Sequence, residues 1–416
     1  MPERSSQFDT IIIGAGAAGL MTAITAGRSN PAKRILLLDG ARKIGAKILV
    51  AGGGRCNVTH DVVDETAFAG STPPAIRNVL RRFTVDNTVA FFREIGVHLK
   101  REDTGKLFPV TDKAVTVLNA LLDAAKHAAV ELRHPARVET VTRTDAGFEV
   151  TGEWGCVHAA NLVLATGGKS LPKSGSDGAG YSFAQALGHS ITPEIFPALV
   201  PLITLGNHFT RTLSGIAVNT TLEVRSTTGR KLKAFTNATL FTHFGLSGPG
   251  PLDISRYLTS ARLDDPGAGL FINWLPEIQF ATLDKQLIDA RSSSRTIATL
   301  RKQHNLPERL ANALANEASL DPHAALDRLS REQRQHLVRT ITDMHIPVEG
   351  DRGYTYAEVT AGGVPLRELD LKSMQSRITP GLFIVGELCD VDGRIGGYNF
   401  QWAWSTGFIA GTSLGA

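Results

Sequence analysis

The chain has 416 residues, of which 42% are hydrophobic, and its 44 Lys and Arg against 40 Asp and Glu leave a formal charge of +4. That size and balance describe a globular protein with room for two or three cores; the mildly basic surface permits a polyanionic partner without requiring one. The N-terminal MPERSSQFD lacks a signal-peptide pattern, and Cys56, Cys156 and Cys389 form no CxxC pair. A cytoplasmic protein with neither a disulfide framework nor a metal site is therefore expected, and no apolar run is long enough to span a membrane.

The stretch from Asp9 opens DTIIIGAGAAGLMTAITAGR and closes on the apolar run Ile35 to Leu38 and Asp39. It reads as strand, glycine turn, helix, strand, with Gly14, Gly16 and Gly19 in GxGxxG spacing and an acid twenty residues later. In that arrangement the first glycine makes the turn, the second lets backbone approach a pyrophosphate, and the third lets helix and strand pack closely. The helix N-terminus then offers unpaired N–H groups to phosphate, and Asp39 can accept from ribose hydroxyls.

Gly52, Gly53 and Gly54 follow, before Arg55, Cys56 and Asn57. Three glycines in a row predict a loop with positive φ or a close approach. Residues 75–95 have helical periodicity, Lys106 to Val110 suits a short strand, and a helix is expected from about Lys113 to Ala128. Ala136 to Val141 reads as a third sheet strand, and Gly147 to Thr151 with Cys156 to His158 as a hairpin. The apolar Leu162 to Ala165 then closes on Thr166, Gly167 and Gly168, a strand-to-loop exit of the kind that completes an FAD-binding domain of the glutathione-reductase type. No second segment repeats the full fingerprint, so one dinucleotide domain is expected, with NAD(P)H binding only transiently.

From Thr192 the texture changes to short β-branched segments at Ala198 to Leu205, Ala217 to Ser226 and Lys231 to Ala234, joined in part by a TTGR turn. Residues 275–345 read as helices, with a Ser330/Gln333 capping box. Gly381 to Val385 is again an apolar strand, ending at Gly386 and Glu387, and Gly396, Gly397, Tyr398 and Asn399 open a final helix. The expected fold is α/β: a Rossmann-type FAD-binding domain from 1–191 and 351–416, interrupted by a β-barrel-like insert at 192–274 and a helical insert at 275–350.

Together GAGAAG, KILVAGGGRCNVTH, LATGG, LFTHFGLSGP, EVTAGGV and GELCDVDGRIGGYNFQWAWSTG resemble the HI0933-like (BaiN-type) flavoprotein family over nearly the whole chain. The resemblance implies FAD and NAD(P)H-linked reduction of an activated C=C bond, in a steroid-like enone or in a uracil of ribosomal RNA. The expected cofactor contacts are Gly14, Gly16, Ala17, Ala18, Gly19, Asp39, Lys47, Gly53, Gly54, Arg55, Cys56, Asn57, Val138, Thr166, Gly167, Gly168, Gly386, Glu387, Gly396, Gly397, Tyr398 and Asn399. Three positions depart from the family's usual residues: Asp39 for Glu, Ala51 for Ser and His60 for Asn.

Reduction of a polarised C=C needs a hydride, a proton donor and donors for an enolate-like oxygen. Cys56 or His243 is the candidate proton donor, and Arg55 or the glycine-loop N–H groups the candidate oxyanion partners; the alternative for Cys56 is a buried packing thiol, and for His243 a core histidine. Three function classes follow. A small-molecule reductase is placed first. An RNA-modifying reductase would use Arg211, Arg225, Arg230, Lys231 and Lys233, and a flavin-dependent oxidase would pass electrons to O2.

Overall fold

A computed structural model of the chain describes residues 6–290 and 301–416. The expectations for residues 1–5 and for the part of the helical insert at 291–300 lie outside the described residues. The chain divides into two compact units, Met1–Pro197 with Ala357–Ala416, and Ala198–Tyr356.

In the first unit, β1 (Gln7–Ile13), α1 (Ala17–Ser29) and β2 (Ile35–Leu38) are followed by α2 (Ala46–Gly54), α3 (Ala114–His127) and β3 (Glu131–Arg133). A meander of β4 (Thr140–Thr144), β5 (Gly147–Gly152) and the long β6 (Gly155–Leu164) comes next. The heart of the sheet is parallel, in the order Leu382–Ile384, β6, β1, β2, β3. Ile11 pairs with Leu36 on one side and Leu162 on the other, and all three are fully buried. Continuous apolar runs, rather than alternation, are what a parallel sheet covered on both faces requires.

Two local expectations change. The third sheet strand is Glu131–Arg133 rather than Ala136 to Val141: Pro135 has no N–H to continue the ladder, and Ala136 N turns aside to donate to Asp39 O at 2.7 Å. The helical stretch at 75–95 is two helices, Pro73–Leu80 and Val85–Glu94. The second starts afresh because Thr84 and Asn87 cap one another's backbone N–H groups, an interruption that hydrophobic periodicity does not register.

The terminal helix, Tyr398–Gly415, lies on α1. Gly407, Gly411 and Gly415 recur every fourth residue on the contact face. A Cβ added at Gly407 would come 2.6 Å from Ala18 O, at Gly411 2.6 Å from Thr22 O, and at Gly415 2.3 Å from Ser29 Cβ. Only hydrogen fits at these points, which is why the two backbones can approach so closely.

The second unit holds a seven-stranded antiparallel sheet in the order Met344–Ile346, Gly269–Asn273, Ala217–Arg225, Lys231–Thr242, Gly245–Ser247, Leu202–Thr204, Val348–Asp351. Its longest hairpin registers Leu222 against Phe235 and turns at Gly229, where φ is +82°. The helix Pro249–Asp264 packs on that hairpin. Helices Phe280–Asp289, Glu308–Glu317 and Arg331–Thr342 bury Leu283, Leu310 and Leu337 in the same core as Leu222. Ser330 caps the last of these through Gln333 N, and Arg334 Nε bonds Asp284 Oδ1 at 2.7 Å across to Phe280–Asp289. Among the described residues no helix is long and apolar enough to cross a membrane.

Candidate functional site

The glycine turn between β1 and α1 has the geometry that its spacing implies. Gly14 sits at φ +106°, and a Cβ there would meet Ala165 O at 2.4 Å; one at Gly19 would strike Gly14 O at 1.8 Å. Gly16, the N-cap of α1, is different: nothing lies within 4 Å of its Cβ position. No side chain caps α1 and its first turn carries no acid, so the N–H groups there are left for an external acceptor. Asp39 braces the turn, its Oδ2 accepting from Ala15 N and its Oδ1 from Ala41 N, both at 2.7 Å. Each carboxylate oxygen keeps a further lone pair, enough for ribose hydroxyls. Val138, buried, follows the Ala136 N–H that is fixed to the Asp39 carbonyl.

At the carboxyl end of β6, Thr166 Oγ1 is buried without a hydrogen-bond partner. Gly168 lies where a Cβ would meet Thr360 Oγ1 at 2.4 Å and Glu387 Oε1 at 2.7 Å. Glu387 is held on both sides, by Thr360 N at 3.0 Å and by Lys47 Nζ at 2.6 Å. Gly386, at φ +69°, approaches Ala18 and is fixed by Thr406 Oγ1 and Trp402 Nε1. The terminal helix also begins without a side-chain cap: Gly397, φ +98°, is pressed against Thr59, while the Asn399 side chain turns back to Gly393 N and O at 2.8 and 2.9 Å. Tyr398 stacks on His60, with ring centroids 5.0 Å apart.

In the GGGRCN segment α2 is kinked: helical backbone breaks at Ala51, whose ψ of 142° is extended, and Gly52, Gly53 and Gly54 follow at φ +58°, +70° and +85°. The Cβ position of Gly53 is open space. Cys56 also has positive φ, +62°, a conformation that costs a non-glycine residue about 1–2 kcal/mol. Its side chain is fully buried, and burial pushes the thiol pKa up to about 12. Asn57 Oδ1 is buried with no partner. Arg55 bonds Glu102 Oε1 at 2.6 Å and lies over the Phe108 ring at 3.9 Å.

Two uncapped helix N-termini, two orphaned buried oxygens and two empty Cβ positions thus fall within the segments expected to bind a dinucleotide. The residues fit FAD. His243 belongs to the second unit, in the exposed turn between Lys231–Thr242 and Gly245–Ser247, edge-on to Phe244. Sequence reasoning did not single out Thr360, whose Oγ1 accepts from Lys169 N and Ser170 N, or the buried Gln401, which accepts from Thr59 and Thr88 hydroxyls and donates to Phe83 O. Both lie inside quoted motifs, EVTAGGV and GGYNFQ, but their partners are hundreds of residues away.

The chain matches the family model described as the HI0933-like protein Rossmann domain over residues 8–413. It is 35% identical to the "Ribosomal RNA dihydrouridine synthase" of Escherichia coli, over 98% of each chain. It is 32% identical to the "3-dehydro-bile acid delta(4,6)-reductase" of Clostridium scindens, over 96% of this chain and 97% of that one. A 3-ketosteroid delta1-dehydrogenase structure from Sterolibacterium denitrificans shares the fold, with a TM-score of 0.53 at 13% identity over 99% of both chains. The parallel sheet, the glycine turn and these matches together define an α/β flavoprotein with a Rossmann-type FAD-binding domain, and the chain belongs to the HI0933-like family.

Proposed function

We propose that the protein is an FAD-dependent, NAD(P)H-linked reductase that adds hydride and proton across a C=C bond conjugated to a ring carbonyl. The observation that carries this reading is end-to-end similarity to two relatives whose names describe one chemistry: a dihydrouridine is a uridine with its ring double bond saturated, and a delta(4,6)-reductase saturates ring double bonds. Bound FAD would supply the hydride. The residues of this chain bind and polarise: Asp39 holds the ribose, the α1 N-terminus the pyrophosphate, and Lys47 with Glu387 the ribityl side. The uncapped start of the terminal helix stabilises negative charge on the ring.

For the proton, burial and a pKa near 12 make Cys56 a poor donor at neutral pH. His243 is the remaining candidate. The residues of 198–356, as the inserted barrel and helical domain, carry acceptor recognition.

Of the two acceptors, a uracil of ribosomal RNA is supported by the 35% identity to the dihydrouridine synthase over 98% of each chain. A small enone is the second reading. It is favoured by the pairing of Arg225 with Glu223 and Asp343 and of Lys231 with Glu223, which takes those cations out of a phosphate track. The deciding experiment reduces the purified flavoprotein with NADPH or NADH without oxygen, then adds either unmodified ribosomal RNA or a steroid dienone. Flavin reoxidation, together with a product heavier by two hydrogens, identifies the acceptor. Reoxidation by O2 alone, with neither acceptor turned over, would sink the reductase reading.

A further inference from the structure

The meander at the far end of β6 brings together three side chains that no motif links. Cys156 and His158 are two residues apart on β6 and so point to the same face; Glu149, on β5, is paired directly opposite His158. Cys156 Sγ lies 3.6 Å from His158 Nε2, and His158 Nδ1 lies 3.8 Å from Glu149 Oε2. One ligating atom from each of the three falls within 4.8 Å of the others.

The Cys156–His158 separation matches a coordination sphere, while the 3.8 Å Glu149 contact is to the other ring nitrogen, so the carboxylate joins that sphere through its approach within 4.8 Å of the other two ligand atoms. Zinc bonds of about 2.3 Å to sulfur and about 2.0–2.1 Å to nitrogen, at a tetrahedral angle, place the two ligand atoms about 3.5 Å apart. One thiolate, one imidazole and one carboxylate form a borderline-soft set suited to a zinc-like divalent ion, and rule out the all-oxygen sphere that calcium or magnesium prefers. The frame is rigid, since β5 is hydrogen-bonded to β4 on one side and to β6 on the other. The face is open: Cys156 is exposed, and the side chains of His158 and Glu149 are 39% and 40% accessible. Water can therefore complete the sphere. A cation would also relieve the neighbouring Glu149 charge which, after desolvation, raises the Cys156 pKa.

We propose that Glu149, Cys156 and His158 form a surface binding site for a zinc-like divalent cation on the β5–β6 hairpin. The site is independent of the flavin chemistry. Binding displaces the thiol proton, so affinity rises about tenfold per pH unit below the thiol pKa.

The test uses the full-length, FAD-loaded protein after chelator treatment. Zn2+ affinity is read by competition with a chromophoric chelator, and Co2+ coordination by its d–d bands to the red of flavin absorption. Stoichiometric binding with tetrahedral Co2+ bands is expected, weakened at least about tenfold in Cys156→Ser and in His158→Ala and by a smaller factor in Glu149→Gln. Flavin absorption and circular dichroism confirm that each variant is folded. The proposal is overturned if the wild type and a Cys156→Ser/His158→Ala double variant bind alike, or if His158→Ala and Glu149→Gln both retain full affinity, which would mean capture by the thiol alone.

Discussion

Lys47 Nζ sits 2.6 Å from Glu387 Oε2 although 340 residues separate them in the chain. The pair is only partly exposed, with side-chain accessibilities of 26% and 18%, so removing one charge leaves the other poorly solvated. Lys47→Met and Glu387→Gln should each weaken FAD retention by about 1–3 kcal/mol, roughly five- to 150-fold. Reconstitution of stripped protein followed by flavin fluorescence measures this. Undiminished affinity in both variants would show that the pair does not hold the cofactor.

Gly14 and Gly16 should respond in opposite ways. Gly14→Ala forces a Cβ to within 2.4 Å of Ala165 O at φ +106°, and should destabilise the protein by several kcal/mol whether or not FAD is present. The Cβ of Gly16→Ala meets nothing within 4 Å in the protein itself. The apo form of that variant should melt within a few degrees of wild type while FAD binding falls sharply. Paired thermal scans with and without FAD separate the two cases.

The Glu368 carboxylate links the start of the 190s segment to the return strands. Partial burial alone would raise its pKa, but hydrogen bonds from Ser190 and His189 outweigh that and hold it below the ordinary glutamate value. A depressed carboxyl stabilises the fold above its unfolded pKa, about 4.3, and that contribution is lost as pH falls through the lower folded value. Urea unfolding from neutral pH downward should therefore show a loss of stability in acid that Glu368→Gln flattens. An unchanged acid slope in the variant would exclude this carboxylate as its source.

Thiol reactivity should divide the three cysteines. Cys56 and Cys389 are fully buried, and burial raises both thiols. Only Cys156 is exposed. At about pH 8 a thiol reagent should modify Cys156 alone in the native, metal-free protein, and all three after unfolding. Rapid labelling of Cys56 in the folded state would restore it as a proton donor.

What the sequence revealed was local. GxGxxG, the apolar strands and the Ser330 cap need only neighbours within a few residues, and the structure realises each of them. The Thr84 cap was equally local, but the run of apolar residues on either side masked it. The Lys47–Glu387 pair, the partners of Gln401 and the burial of Cys56 depend on contacts across the fold. GGGRCN reads as a loop with positive φ or a close approach, and the partner that makes the approach, Phe108 against Gly52 and under Arg55, is set by the fold. The Glu149, Cys156 and His158 cluster was hidden for the same reason, since strand pairing rather than spacing assembles it.

The glycine face of the terminal helix also sets an order of assembly during synthesis. The first 197 residues leave the ribosome long before Gly407, Gly411 and Gly415 exist to cover α1, whereas the second core, among the described residues, is drawn entirely from 198–356. The inserted unit should therefore acquire protease resistance on the nascent chain first. The older, N-terminal half of the nucleotide domain waits for the last helix, and the cofactor pocket becomes complete only when translation is nearly finished.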